Sequence, residues 1–279
     1  MLPHTFLHIS GIGKKTEAEI WQAGILEWQA FTAPATAALR PATCRLVENH
    51  LARQPPGALA TPSYFHHLLP ASQHWRLFPH FRDKTAFIDI ETTGINREQC
   101  AITTIALYDG HEIFTFVQGD NLDRFPELLA RYEVIVTYSG KGFDVPILER
   151  YFRMKISQAH LDLRPILAAI GCKGGLKGCE RQLGIERADL QGVSGRDAVL
   201  LWHAYRRSGQ LKFLHTLLAY NIADTINLEA LMVIAYNEHI RATPLRQHNA
   251  LAMPEQPPSP FQADRALINR LHRGGIFYR

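Results

Sequence analysis

The stretch Thr85-Ala-Phe-Ile-Asp-Ile-Glu-Thr-Thr-Gly94 is an apolar run that carries two acids and ends in a turn. Its first six residues predict a buried β-strand. Side chains two apart on a strand project to the same side, so Asp89 and Glu91 would point together. Two such carboxylates repel each other unless a cation lies between them, and oxygen ligands suit Mg²⁺ or Mn²⁺. The alternative is a strand with an acidic, solvated face.

The surrounding sequence places this strand at the start of a sheet. Two more strands are predicted at residues 101–108 and 112–118, around the turn Asp109-Gly110. After them come a helix at 122–132, a strand at 134–138 and a run of helices. An antiparallel start followed by alternating strands and helices predicts an α/β fold whose mixed sheet is flanked by helices.

Two later acids stand near the ends of predicted elements. Asp144 follows an apolar strand and a Gly-rich turn, at the start of a predicted helix. Tyr220 and Asp224 lie four residues apart and share one face of another helix. A buried Asp beside apolar groups is costly unless a divalent cation binds it. For Asp144 alone, helix capping is the simpler explanation.

Taken in order, the three stretches resemble the three exonuclease motifs of the DEDD superfamily, which has a ribonuclease H-like fold. These motifs are Asp-x-Glu with a following Thr, an apolar strand ending in Phe-Asp, and Tyr-x-x-x-Asp. The histidine branch would need His where Ala219 stands, so Tyr220 points to the tyrosine branch, DEDDy. The second motif is similar to that of family B DNA polymerase proofreading domains, with Ser139 where Asn is usual. Overall the chain is most similar to the bacterial YprB-like predicted exonucleases.

The resemblance implies a 3′–5′ exonuclease in which two Mg²⁺ or Mn²⁺ ions, roughly 3.5–4 Å apart, span the scissile phosphate. It assigns four acids as metal ligands and catalytic residues: Asp89, Glu91, Asp144 and Asp224. Tyr220 would be a further catalytic residue, and backbone amides near Thr92 and Thr93 would orient the terminal nucleotide. Asp162 is expected to be structural because no motif needs a ligand there.

The N-terminal stretch around Gly11-Ile-Gly13-Lys14-Lys15 resembles a helix-hairpin-helix motif, with a tight turn between two helices. Glycines there let backbone amides approach a phosphate, and the two lysines add attraction. Such a unit would bind the nucleic-acid backbone without reading its sequence. The alternatives are a helix-capping glycine followed by a new helix, and a hairpin that binds protein.

The chain divides into four predicted segments: a helical unit at 1–53, a Pro-rich connector packed on the core at 54–83, the exonuclease domain at 84–240, and a basic, Pro-rich C-terminal tail at 241–279 that is expected to be mobile. Besides the exonuclease, two functions stay open. One is a catalytically silent nucleic-acid-binding adaptor, and the other is a structure-selective endonuclease with the same metal site. Metal chemistry acts on either backbone, so both DNA and RNA remain substrates to test.

Composition sets wider bounds. The 279 residues are 46% hydrophobic, enough for a sizeable core, and the net charge of +4 allows a nucleic-acid partner without requiring one. The four cysteines form no CxxC pair, which favours a reducing cytoplasm over a disulfide framework or a zinc site. The start of the chain has no signal-peptide pattern, and no membrane-spanning run is expected.

Overall fold

The computed structural model describes residues 1–187, 190, 192–246 and 250–272. Its centre is a five-stranded sheet in the order β3-β2-β1-β4-β5. The strands are β1 Thr85–Thr92, β2 Ile102–Tyr108, β3 Ile113–Val117, β4 Val134–Thr137 and β5 Ala159–Asp162. β2 runs antiparallel to β1 and β3, while β4 runs parallel to β1 and β5. The mixed sheet confirms the predicted fold class, and the first four strands match the predicted ranges within two residues.

Helices surround this sheet on both faces. Those before it are α1 Lys14–Gln22, α2 Ala33–Thr36, α3 Pro41–Ala52, α4 Pro62–Leu68 and α5 Phe78–Phe81. Those within and after it are α6 Phe125–Leu129, α7 Asp144–Phe152, α8 Leu163–Ala168, α9 Gly175–Gln182, α10 Gly195–Ser208, α11 Leu211–Arg241 and α12 Arg265–His272.

β1 is the middle strand and is covered on both faces, which explains its nearly continuous apolar sequence. Phe87 belongs to the hydrophobic cluster that includes α11 and α8. Its neighbour Ile88 belongs to the opposite cluster, with residues of α6 and α7. Alternation along the strand therefore directs Asp89 and Glu91 to the face that α11 covers.

α11 is the longest helix and packs on β1, β2 and α10. Among the described residues it is the one helix long and apolar enough to cross a membrane by length and composition. However, 83% of its most apolar window is buried inside the protein, as in the core helix of a globular fold. Its composition is therefore weak evidence for a membrane span, and the expected absence of such a span stays a prediction.

The N-terminal unit differs from the predicted pair of helices around Gly11 and Gly13. α1 begins at Lys14 as expected, but the described chain before Gly11 contains only a 3₁₀ turn at Leu2–His4 and further turns. Glu17 accepts hydrogen bonds from the backbone amides at positions 6 and 7, at 2.7 and 3.2 Å. Because those amides bond to a side chain, they are not free to form the first helix of a hairpin.

Residues 54–83 contain short helices that pack on the sheet. Two of their prolines, Pro62 and Pro79, lie in the first turns of α4 and α5. A proline is tolerated there, since the first amides of a helix have no intrahelical partner. Phe65, Trp75 and Phe78 from this segment are buried in the same cluster as Phe87.

The C-terminal segment was expected to be mobile, and the prediction of a loose tail is wrong for its described part. Leu251 and Phe261 pack against the core, and Leu267 and Ile268 of α12 are buried beside α10 and α11. The sequence did not predict this packing, because the apolar residues of the segment are too far apart to form a periodic pattern and lie among prolines and arginines. Residues 273–279 lie outside the described range.

Candidate active site

Three carboxylates meet where the end of β1 contacts the middle of α11. Asp89 and Glu91 come from one face of β1, and Asp224 comes from α11. One carboxylate oxygen from each lies within 4.8 Å of the other two. Glu91 and Asp224 are buried, and Asp89 is half-buried. The structure therefore brings together three of the four acids that the sequence singled out.

The fourth acid, Asp144, is the first residue of α7 and is also buried. It does not cap the helix, because the N-cap position belongs to Phe143. It lies outside the group of three but near enough for its charge to raise the pKa of both Asp89 and Glu91. A Cβ atom added at Gly140 would come within 2.8 Å of Asp144 Oδ2, so the glycine leaves room for this carboxylate.

The turn before Asp144 is fixed by Asp162, the residue expected to be structural. The Asp162 carboxylate accepts hydrogen bonds from the amides of Ser139 and Lys141, at 2.8 and 3.2 Å. Ser139 adopts a left-handed backbone conformation with φ of 62°. Asn tolerates that region better than most residues, which gives a conformational reason for the Asn usual at this position. Asp162 thus supports the turn without joining the acidic cluster.

Crowding of negative charge inside the fold dominates the electrostatics of the site. Loss of hydration raises the pKa of Asp89 well above its usual range, and Asp224 and Glu91 raise it further. The pKa of Glu91 is raised for the same two reasons, burial first and Asp224 second. Burial also raises the pKa of Asp144, to about 7. Without a cation, these carboxyl groups therefore resist ionising together.

Two cations that the sequence analysis did not assign to the site lie beside it. Lys177 of α9 donates a hydrogen bond of 2.6 Å to the hydroxyl oxygen of Tyr220. Arg187 forms an ion pair with Asp224 and a two-point interaction with Glu180. No local spacing pattern marks either residue, because both reach the site from a region that folds back onto α11.

Tyr220 lies where its motif places it, one turn before Asp224 and almost fully buried. Burial raises the pKa of its hydroxyl group above the ordinary value, and the charge of Asp224 raises it further. The phenol therefore stays protonated at neutral pH. Because Lys177 donates to the phenol oxygen, the hydroxyl hydrogen remains available for donation to another group.

Asn221 is a further side chain of the site that the sequence analysis missed. Its amide nitrogen donates a hydrogen bond of 2.7 Å to Asp89 Oδ2, and its amide oxygen accepts one of 3.0 Å from Thr104. Both bonds are buried or partly buried, so Asn221 fixes the orientation of the Asp89 carboxylate. Its position between Tyr220 and Asp224 in sequence gave no sign of this contact, because it depends on the packing of α11 on the sheet.

One of the two backbone amides expected to contact the terminal nucleotide, that of Thr93, is already hydrogen-bonded within the turn after Glu91. The Thr93 amide donates to Ala101 O at 2.9 Å, and the Thr93 hydroxyl accepts from the Ala101 amide. The Thr92 hydroxyl donates to Gly94 O at 2.6 Å. The Thr93 amide is thus already paired, and a contact with a terminal nucleotide would have to come from another group of the turn.

The N-terminal site residues do not join the acidic cluster. Gly11, Gly13, Lys14 and Lys15 are all exposed. Burial lowers the pKa of His239, and the nearby charge of Lys14 lowers it further. His239 lies on α11 about four turns beyond Asp224, or roughly 22 Å along the helix axis. Any nucleic acid bound at these lysines would be contacted well away from the carboxylates.

The donor set fits a hard divalent cation. Carboxylate oxygens are the ligands that Mg²⁺ and Mn²⁺ prefer, and here they converge from two elements whose positions the core fixes. Asp224 Oδ1 pairs with Arg187, whereas burial and neighbouring acids raise the pKa of Asp89 and Glu91 well above the usual range. A divalent cation bound between these carboxylates would favour their charged forms.

Fold and site together define a mixed-sheet α/β protein with a buried acidic cluster at the end of its central strand. A family model described as the RNase H superfamily matches residues 86–236, more than half of the chain. The chain therefore belongs to the ribonuclease H superfamily. Nucleases with this fold use divalent metal ions, which agrees with the acidic cluster.

A solved structure similar to this chain is that of the family B DNA polymerase from the hyperthermophilic archaeon Pyrobaculum calidifontis. The similarity has a TM-score of 0.41 and 14% sequence identity. It covers 60% of this chain and 27% of the polymerase chain, so this chain spans only about a quarter of the polymerase. No curated protein matches the chain.

Proposed function

We propose that the chain is a metal-dependent 3′–5′ exonuclease of the DEDDy type, related to the YprB-like predicted exonucleases, which hydrolyses phosphodiester bonds at single-stranded DNA or RNA ends. The observation that carries the proposal is the convergence of Asp89, Glu91 and Asp224 within 4.8 Å, with Asp144 beside them. Membership of the ribonuclease H superfamily supports a nucleic-acid substrate. A cytoplasmic location and the four-segment division of the chain remain part of this proposal.

The four acids would hold two Mg²⁺ or Mn²⁺ ions. When bound, such ions promote the attack of water on the phosphate and neutralise charge that develops on it. Asn221 keeps the Asp89 carboxylate in one orientation, and Gly140 leaves space for Asp144. These contacts preorganise the ligands, so that little rearrangement is needed on metal binding.

Tyr220 and Lys177 would act on the substrate side of the site. The phenol stays protonated and can donate a hydrogen bond to water or to a phosphate oxygen. It would therefore orient a reactant and would not remove a proton. Lys177, held over the Tyr220 ring with its ammonium nitrogen 4.3 Å from the ring centroid, supplies positive charge near the phosphate.

The exposed lysines Lys14 and Lys15 would contact the phosphate backbone some distance from the cleavage site. The logarithm of affinity falls with the logarithm of salt concentration, and each phosphate contact removed makes that slope less steep by about 0.9 for duplex DNA. The double variant Lys14→Ala/Lys15→Ala should therefore make the slope less steep by up to about 1.8. Lys155→Ala, which removes another exposed lysine, is the matched control. An unchanged slope in the double variant would favour a structural or protein-binding role for the N-terminal unit.

Digestion of end-labelled single- and double-stranded DNA and RNA by the full chain, with Mg²⁺ or Mn²⁺, tests the proposal. A 3′–5′ exonuclease releases labelled mononucleotide from a 3′ label and a ladder of shortening fragments from a 5′ label. Asp144→Ala should be inactive, whereas Asp123→Ala, at an exposed acid outside the site, should retain activity. Internal cuts would instead indicate the endonuclease, and metal-independent binding without hydrolysis would indicate the silent adaptor.

A further inference from the structure

The C-terminal segment over residues 251–264 follows α11 in the reverse direction. Leu251 exchanges two hydrogen bonds of 2.8 Å with the Asn237 side chain, and the Asp264 amide donates to Thr216 Oγ1 at 3.0 Å. About 32 Å of helix separate those two anchor points, and a fully extended chain of this length reaches at most about 45 Å. The segment, called the strap below, is thus a largely extended chain fastened to α11 at both ends.

Between its anchor points the strap connects to the acidic cluster through hydrogen-bonded side chains. Gln256 donates through Nε2 to Asn227 Oδ1 at 2.8 Å, and Asn227 donates through Nδ2 to Glu180 Oε1 at 2.8 Å. Glu180 accepts from both Nε and Nη2 of Arg187, and Arg187 Nη2 pairs with Asp224. These five side chains, called the relay below, join the strap to a carboxylate of the site.

The relay has little freedom to rearrange. Asn227 and Glu180 are only 3% and 1% exposed, so their polar groups must be satisfied within the protein. Because Gln256 donates to the Asn227 oxygen, Asn227 presents its N–H group to Glu180. The flipped amide would set two acceptors against each other, Asn227 oxygen against carboxylate. The two-point interaction with Glu180 then holds the planar Arg187 guanidinium in one orientation beside Asp224.

We propose that Gln256 is a positioning residue for Asp224, so that the strap forms part of the metal site although none of its residues lies in the acidic cluster. The inference rests on the proposed function, because it assigns Asp224 to a bound divalent cation. Gln256 holds the Asn227 amide in one orientation, and Asn227 in turn holds Glu180. Glu180 then holds Arg187 beside the Asp224 carboxylate. Partners behind a metal ligand commonly change metal affinity by about 10- to 100-fold when they are replaced.

Two substitutions at Gln256 remove its donor in different ways. Gln256→Glu puts a carboxylate against the Asn227 oxygen, and Gln256→Met keeps the length of the side chain but cannot donate. Gln262→Glu is the matched control, because Gln262 is an exposed strap residue beside the same cavity of about 600 Å³ and takes the same change of charge. Gln256 is itself exposed, so these variants are expected to fold, and urea unfolding of each checks this.

The measurement is the Mn²⁺ affinity of the metal-free full chain by isothermal titration calorimetry, with Asp224→Asn as reference. We expect Gln256→Glu and Gln256→Met to bind Mn²⁺ about tenfold more weakly than wild type, and Gln262→Glu to bind it equally well. Wild-type affinity in both Gln256 variants, together with weak binding by Asp224→Asn, would overturn the relay alone. If Asp224→Asn bound Mn²⁺ as tightly as wild type, the proposed metal site would fail and the relay with it. Should Gln256→Glu not fold, the neutral variant Gln256→Met decides.

Discussion

Glu17 in α1 and Glu91 in β1 are both buried glutamates, but their surroundings are opposite. Glu17 accepts hydrogen bonds from Thr5 and from two backbone amides, and pairs with the buried Arg76 at 2.7 Å. Burial raises the pKa of Glu91, the charge of Asp224 raises it further, and the cations Lys177 and Arg187 offset only part of this rise. Matched donors satisfy the Glu17 carboxylate, so Glu17 contributes to the stability of the fold. Acids crowd around Glu91, so that region favours binding of a cation.

Loss of hydrolysis in Glu91→Gln is the largest effect that this comparison predicts. The charge needed to hold a divalent cation is lost, and a bound metal typically supplies several kcal/mol of transition-state stabilisation, so activity should fall at least about 1000-fold. The metal-free protein should be no less stable than wild type, because removing one of several crowded charges relieves repulsion. Activity assays and urea unfolding with chelator measure the two effects. A fully active Glu91→Gln protein would contradict the assignment of the site.

The same substitution at Glu17 should act on stability. Glu17→Gln leaves the Arg76 guanidinium buried without its counter-ion, and breaking a buried pair costs about 3–5 kcal/mol of the free energy of unfolding. Glu19→Gln, in the same helix, removes only an exposed pair with Arg40 and should cost no more than about 1 kcal/mol. Urea unfolding of the metal-free proteins compares the two. Equal stability of the Glu17 and Glu19 variants would show that the buried pair contributes nothing beyond a surface pair.

The two glutamates also show what the sequence could and could not predict. Asp-x-Glu at the end of an apolar strand gave the position of Glu91, because strand periodicity fixes which side chains point together. Nothing near Glu17 indicated its partner Arg76, which lies 59 residues further along the chain. Local periodicity predicts faces of elements and not the pairing of side chains between elements. The turns before Gly11 and the burial of Glu17 both depend on that pairing.

The residues of the site also fall into those that local spacing predicts and those that depend on contacts between distant parts of the chain. Asp89, Glu91, Tyr220 and Asp224 lie at spacings that one strand or one helix explains, and the structure brings them together. The cations of the site and the C-terminal strap were missed, because each reaches the cluster only after the chain folds back onto α11. The apolar residues of the strap are dispersed among prolines and exposed residues, so no periodic signal distinguished it from a loose tail.

Tyr220→Phe removes a hydroxyl group from the site but no charge. If the phenol orients a reactant, turnover should fall by roughly 10- to 1000-fold while Mn²⁺ affinity stays near that of wild type. Tyr236→Phe is the matched control, since Tyr236 is a buried tyrosine of α11 that packs against Trp75. Steady-state kinetics and calorimetry separate the two quantities. Normal turnover in Tyr220→Phe would make Tyr220 a packing residue and leave the four acids in place.

The pH dependence of stability gives the smallest predicted effect and tests the crowded carboxylates directly. Burial raises the pKa of Asp144 to about 7, above the value of an unfolded Asp, so the folded protein binds more protons between the two values. The Asp144 contribution to the free energy of unfolding of the metal-free protein should therefore fall as the pH rises through this window. Buried histidines act in the opposite direction at lower pH. The pKa of His8 is lowered to about 3 and that of His66 to about 4, chiefly by burial, so their protonation destabilises the fold as the pH falls below that of unfolded His.

The histidine contribution is the same in wild type and in an Asp144 variant, so the difference in pH slope between the two proteins isolates the Asp144 carboxyl group. Above about pH 6, the Asp144 contribution to the free energy of unfolding should fall with rising pH by up to about 1.4 kcal/mol per pH unit. Asp144→Asn should remove this contribution and make the pH slope of stability more positive than that of wild type, and Asp123→Asn, at an exposed acid outside the cluster, should leave it unchanged. Urea unfolding at a series of pH values with chelator measures it. Equal slopes in wild type and Asp144→Asn would mean that the Asp144 carboxyl group is already ionised in the folded metal-free protein, and that the cluster tolerates its charges without a cation.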